Sequence, residues 1–165
     1  MLASQLTSDV PSSRKRASWA LCNIAAGNVD QIDALIKHPT IVRDVLANFT
    51  CAWPDVQMDS VWTVANMTVH GSREQLQILV EEHAAAEALC AVAASTADLT
   101  VVDLALRAVR KCLSAYERDD INALVNRLRN TVAQESLSHH DHVRALLICS
   151  FGLGKYSSAF DWFCR

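Results

Sequence analysis

Two segments of this chain, WALCN at 19–23 and WTVAN at 62–66, place a tryptophan and an asparagine four residues apart, and the copies lie 43 residues from each other. Asparagine competes with the helix backbone for hydrogen bonds and is a poor helix-interior residue, so its recurrence beside tryptophan needs a cause. Aligning WALCNIAAGNVDQIDALI with WTVANMTVHGSREQLQILV matches Trp, Asn and a Gln with the apolar run behind it, with a one-residue shift at the glycine. Gly27 and Gly71 close the two segments as helix-ending glycines, and Asp30 or Ser72 is placed to cap the helix that follows. A chain built this way repeats one structural unit and stacks it.

Each unit continues through a second apolar helix, IVRDVLANF or AEALCAVAA, and then a polar or proline-bearing turn. The next long helix follows, PDVQMDSVWTVANMTV or DLTVVDLALRAVRKCLSAYE. Only 4 Gly and 3 Pro interrupt 165 residues, and Ala and Leu dominate, which favours helices over a turn-rich β fold. The pattern predicts helices at 12–26, 29–37, 40–50, 54–69, 72–82, 85–95, 98–116, 118–130, 131–137 and 140–152. Three helices in about 40–45 residues is the period of armadillo repeats. The expected fold is therefore all-α: a right-handed armadillo superhelical solenoid of about three to four three-helix repeats, forming a single domain over 1–165. Its divisions are a partial repeat at about 1–27, repeats at about 28–70, 71–116 and 117–156, and a short tail, 157–165. The opening LASQL reads as the second helix of a repeat whose first helix is missing, which suggests a fragment or a truncated relative with apolar surface at its N-terminal edge.

Charge and cysteines narrow the function. The net charge of −3 argues against a general phosphate-binding surface for DNA or RNA and is compatible with attracting basic peptides. Six cysteines (22, 51, 90, 112, 149 and 164) include no C-x-x-C pair and sit mostly in apolar helical context, which points to a reducing compartment, cytosol or nucleus. No apolar run approaches the ~20 residues of a membrane span, and the N-terminus lacks a signal-peptide pattern.

On a helix, residues i and i+4 share a face, so Trp19 projects with Asn23 and Trp62 with Asn66. Stacked repeats would line these pairs into a ladder along the concave side. Helices pack about 10 Å apart and an extended peptide advances ~3.3 Å per residue, so one repeat spans about three peptide residues. An asparagine amide can pair with a peptide N–H and C=O without reading its sequence. Between the indoles a Lys or Arg stem can lie flat, for about 0.5–2 kcal/mol of cation–π attraction. Asp59, one turn before Trp62, is placed to receive the basic head group. A lone tryptophan at helical spacing is usually core, and a lone asparagine is usually solvated. The repetition of the pair in register is what argues for binding.

These segments resemble importin-α (karyopherin-α). RASWALCNIAAGNVDQIDALI and DSVWTVANMTVHGSREQLQILVE are similar to that family's armadillo signature. A weaker likeness runs through DLALRAVRKCLSAYERDDINAL to HHDHVRALLICSFGLGKYSS, which resembles the last repeat. The resemblance covers nearly the whole chain, aligned with the family's last four or so repeats. It implies an adaptor for nuclear import that shuttles between nucleus and cytoplasm and binds Lys/Arg-rich nuclear localisation signals. The matching positions resemble the family's smaller, C-terminal site, with Trp19, Asn23, Trp62 and Asn66 as its ladder and Asp59 as its carboxylate. It also implies contacts of the last repeats with a nuclear export receptor and a nucleoporin. The family's importin-β-binding segment and larger site have no counterpart here. Arg16 stands three before Trp19, where the family keeps a carboxylate like Asp59, so a cation weakens or alters the first slot. Arg107 and Lys111 occupy the Trp and Asn positions of the third repeat and end the ladder after two rungs, as also happens in the family.

Other features carry less. His139, His140, Asp141 and His142 are too close in sequence to converge readily on a metal, and no cofactor is expected. Arg14, Lys15 and Arg16 could mimic a localisation signal but read better as the exposed start of a helix. No cysteine sits in a recognisable nucleophile setting, so a thiol or metal hydrolase ranks third and the protein is expected not to be an enzyme. The runner-up is an armadillo scaffold whose groove is degenerate and whose C-terminal repeats bind a transport receptor or nucleoporin.

Overall fold

The computed structural model describes residues 2–134, and among them there is helix and no strand. Nine α-helices follow one another: α1 (Leu2–Gln5), α2 (Pro11–Ala25), α3 (Val29–Lys37), α4 (Ile41–Ala47), α5 (Pro54–His70), α6 (Arg73–Glu81), α7 (Ala85–Ser95), α8 (Leu99–Leu113) and α9 (Arg118–Gln134). A short 3-10 turn, Asn48–Thr50, extends α4 towards α5. The His139–His142 cluster, the expected helix at 140–152, most of the 117–156 repeat and the tail lie outside the described residues.

Local chemistry starts each helix. Both α2 and α5 begin with a proline, Pro11 and Pro54, whose fixed φ suits the first helical turn and whose missing N–H costs nothing there. The helices α3 and α6 open on the same reciprocal cap. Asn28 Oδ1 accepts from Gln31 N at 3.0 Å while Gln31 Oε1 accepts from Asn28 N at 2.9 Å. Ser72 and Gln75 repeat this at 3.2 and 3.0 Å. The glutamine shared by the two units, Gln31 and Gln75, is thus half of a capping box. Ser72 caps as expected, but Asn28 replaces Asp30 in that role. Asp30 lies inside the first turn, where its charge only complements the helix N-terminus.

The two glycines do end their segments, though not through a left-handed turn. Gly71 closes α5 at φ −73° and ψ 158°, an ordinary extended conformation. What it needs is space: a Cβ there would stand 2.5 Å from the Met67 carbonyl oxygen. At Gly27 a Cβ would strike the end of the Gln31 side chain instead, which can move aside only by giving up its hydrogen bond from Asn28 N.

The helices stack in repeating order. The long helices α2, α5 and α8 pack side by side, α3 packs on α6, and α7 lies against α8 and α9. The core runs continuously along the stack, through Leu21, Ile32, Val45, Val61, Met67, Leu79, Leu89, Val109 and Leu124. Each fully buried side chain of this kind contributes about 1.5–3 kcal/mol. Hydrogen bonds reach from one unit to the next at separations of 40 to 46 residues: Lys15 to Asp55, Arg73 to the Ala115 carbonyl, Asn66 to the Cys22 carbonyl, and Gln75 to the Val29 carbonyl.

Two helix boundaries depart from expectation. The segment 118–130 and the described part of 131–137 form one helix, α9, through Gln134: no Gly or Pro interrupts it, and Thr131 Oγ1 bonds back to the Arg127 carbonyl at 3.2 Å. The helix placed at 98–116 ends at Leu113, where the next N–H groups turn back onto Arg110, Lys111 and Cys112 carbonyls.

Gly71→Ala is expected to lower unfolding free energy by about 1–3 kcal/mol, because the backbone oxygen it meets cannot step aside. Gly27→Ala is expected to cost less, no more than a cap hydrogen bond. Urea melts of the two variants check the order.

Candidate functional site: the face of α2 and α5

Helices α2 and α5 run parallel and in register. Two cross-links fix this: Lys15 Nζ to an Asp55 carboxylate oxygen near their N-termini, and Asn66 Nδ2 to the Cys22 carbonyl, 3.1 Å, towards their C-termini. Residues at the same place in the two units therefore emerge next to each other. Along α5 the sequence Asp55, Asp59, Trp62, Asn66 follows the i, i+4, i+7, i+11 stripe of one helix face. On α2, the matching stripe is Ser12, Arg16, Trp19, Asn23.

Both tryptophans stand out of the core: Trp19 is 63% exposed and Trp62 42%. Their helices bury their other sides, through Ala17, Leu21 and Ala25 on α2 and Val61, Val64, Ala65 and Met67 on α5. Exposed indoles cost water contacts and are uncommon on a surface with no partner. The structure thus places the two rungs on neighbouring helices with their large aromatic surfaces free.

The asparagines are partly engaged. Asn23 Nδ2 donates to the Trp19 carbonyl at 2.8 Å, one turn back on its own helix. Asn66 Nδ2 donates across the repeat boundary to Cys22, so its amide also ties α5 to α2. Among the described residues each Oδ1 has no donor, which leaves one acceptor per amide for a ligand backbone; Asn23 keeps a second N–H as well, while Asn66 Nδ2 also reaches the Cys22 Sγ at 3.6 Å.

The charges divide unevenly. Asp59 is half-buried and forms no ion pair among the described residues. Burial raises its carboxyl above the ordinary range, Lys15 opposes this, and Asp55 adds to it. Lys15 is committed to Asp55, and the pairing raises its ammonium pKa. Arg16 is exposed and has no hydrogen bond or ion pair among the described residues. On α8, Arg107 is exposed and bonded to its own Asp103 at 2.6 Å, so that helix offers neither indole nor free guanidinium at this level.

The run Arg14, Lys15, Arg16 is not one exposed basic cluster. Arg14 is half-buried, with Nε donating to the Ser8 carbonyl at 2.9 Å and its guanidinium 4.8 Å from the Trp53 ring centroid. Sequence reasoning missed Trp53 and Asp55 altogether. The signal was available: Asp55 lies 40 residues beyond Lys15, one repeat away.

Cysteine chemistry is absent from this face. Cys90 and Cys112 are fully buried, and burial pushes the Cys112 thiol up to about 12. Cys22 is half-buried beneath the site, with its thiol also raised by burial and by Asp59. No group of three potential metal ligands occurs among the described residues, and no helix among them is long and apolar enough to cross a membrane.

Because the Asp59 carboxyl is raised by folding, the native state holds its proton more tightly than the unfolded chain. Stability contributed by the protonated form is present at low pH and is lost as pH rises through the folded value. Asp59→Asn is therefore expected to be more stable than the parent at pH 7 and equal to it below the ordinary carboxylate pKa. Thermal melts between pH 3 and 8 check the sign.

No family model matches the chain, and no curated protein matches it. Solved structures do. A designed armadillo repeat protein, YIII(Dq.V1)4CPAF in complex with peptide (KR)4, superposes with a TM-score of 0.73 at 22% identity, covering 99% of this chain and 69% of the other. A computationally designed armadillo repeat protein for modular peptide recognition gives 0.73 at 20% identity, covering 99% and 69%. An engineered protein gives 0.70 at 20%, covering 99% of this chain and 66% of its own. The chain thus spans about two thirds of the length of these matches. At such identities the likeness speaks for backbone architecture alone, and the architecture is an armadillo-repeat solenoid.

Proposed function

We propose that this chain is a peptide-binding segment of a nuclear import adaptor, taking extended peptides with basic side chains across the face of α2 and α5. The observation that carries the reading is the pair of exposed tryptophans, Trp19 and Trp62, on adjacent parallel helices with the half-buried, unpaired Asp59 one turn from Trp62. A lysine or arginine stem laid beside the Trp62 indole would bring its head group to Asp59 and give that carboxylate the counter-ion it lacks. The open acceptors of Asn23 and Asn66 would hold the peptide backbone. The designed armadillo protein solved with (KR)4 supports the idea that this architecture accepts alternating basic peptides. The likeness to importin-α supports nuclear localisation signals as the cargo element, shuttling between nucleus and cytoplasm, and a receptor or nucleoporin at the C-terminal repeats. No step of this reading needs a cofactor or turnover.

A second reading has its own support. Asn66 already spends a donor on Cys22, Asn23 on Trp19, and Lys15 occupies Asp55. A scaffold with a degenerate groove, binding partners through other repeats, would look like this.

A short lysine- and arginine-rich peptide is expected to change tryptophan fluorescence in a salt-sensitive way. Trp62→Ala should weaken its binding by about 1–2 kcal/mol, roughly five- to thirtyfold. No response at low salt from folded protein would favour the scaffold, and full binding by Trp62→Ala would discard the ladder.

A further inference from the structure

The two rungs carry opposite charge. At the level of Asp59 on α5, the equivalent α2 position is Arg16, so the stripe reads carboxylate on one helix and guanidinium on the next. Neither is neutralised within the described residues. Lys15, next to Arg16 in sequence, is drawn sideways onto Asp55, and on α8 Arg107 pairs with Asp103 while Lys111 stays exposed without an ion pair among the described residues. On the two tryptophan-bearing helices the stripe thus keeps one anion beside Trp62 and one cation beside Trp19.

From this charge complementarity we propose that the preferred occupant is not a polybasic run but a mixed peptide, with a basic residue at the Trp62–Asp59 rung and an acidic residue at the Trp19–Arg16 rung. The inference rests on the peptide-binding reading and names its ligand class. Adjacent helices pack about 10 Å apart, and a peptide in the polyproline-II form rises ~3.1 Å per residue with three residues per turn, so two side chains three positions apart share one face and span the two rungs. A lysine at the Arg16 rung faces like charge, whereas a glutamate there gains an ion pair. Half-burial of Asp59 makes it the more demanding partner, so the basic residue is the anchor and the acidic residue sets the preference. The arrangement also binds a lysine repeat less tightly than an all-acidic ladder would, because one rung would meet a cation.

The test uses four fluorescein-labelled peptides of equal length in a Gly/Ser background, carrying Lys-x-x-Glu, Glu-x-x-Lys, Lys-x-x-Lys or Lys-x-x-Gln, titrated with the full chain by anisotropy. At low salt, one of the two mixed peptides is expected to bind about three- to tenfold more tightly than Lys-x-x-Lys, the swing between an attractive and a repulsive exposed pair. Arg16→Glu should invert that ranking and Arg16→Gln should flatten it. Circular dichroism confirms that both variants fold, as expected for an exposed side chain without a partner among the described residues. If Lys-x-x-Lys binds the parent as tightly as either mixed peptide, or if Arg16→Glu leaves the ranking unchanged, the charge-pattern inference is wrong while the groove stands. If no peptide binds the parent, or if Trp62→Ala binds all four unchanged, the groove falls and the inference falls with it.

Discussion

The side-by-side packing of α2, α5 and α8 is the constraint on which the rest of this molecule depends. A three-helix unit cannot enclose its own apolar face, so each helix must bury that face on the unit before or after it. Parallel packing in register then makes equivalent positions neighbours. Lys15 meets Asp55, Asn66 meets Cys22, Gln75 meets Val29, and Arg73 meets Ala115, each across one repeat. These links are not decoration on a core formed elsewhere. They are the polar part of the same inter-unit contact that buries Leu21, Val61 and Val109.

The candidate site follows from that packing and has no independent scaffold. Trp19 and Trp62 become a pair only because α2 and α5 lie alongside, and Arg16 and Asp59 take equivalent positions on the two stripes for the same reason. Surface ion pairs such as Lys15–Asp55 and Asp103–Arg107 contribute little to stability, about 0–1 kcal/mol. Their larger effect is to decide which charges stay available. Lys15 withdraws Asp55 from the stripe, the α8 pair withdraws Arg107, and on α2 and α5 Asp59 and Arg16 are left as the charges a ligand would meet.

Much of this was legible in the residues. The helix at 85–95 coincides with α7, the repeat spacing identified the stack, and Trp and Asn were placed on one face by helical periodicity. The errors have specific causes. Asp30 looked like a cap because its type is right, yet the cap goes to Asn28, whose partner Gln31 stands three residues on and closes the reciprocal box. Gly27 and Gly71 were read as helix-ending glycines, and their small size is what matters there, at a crowded carbonyl in one case and a capping glutamine in the other. Asn130 and Thr131 resembled a break in α9, but Thr131 satisfies its hydroxyl on the Arg127 carbonyl and the helix runs on. Arg14 was read with its charged neighbours, while burial against Trp53 and Ser8 gives it a structural task.

What the sequence determined by itself was therefore everything set by short-range chemistry and period: helix content, the repeat length, the capping glutamines, and the stripes that carry Trp19, Asn23, Asp59, Trp62 and Asn66. What only the tertiary structure decided was which of those side chains remain unspent. Hydrogen bonds and ion pairs between units join residues 40 to 46 apart, and their formation depends on the lateral register of two helices, a quantity no local pattern encodes. That register engages one donor of Asn66, removes Asp55 and Lys15, and leaves Asp59 and Arg16 facing solvent with opposite charge.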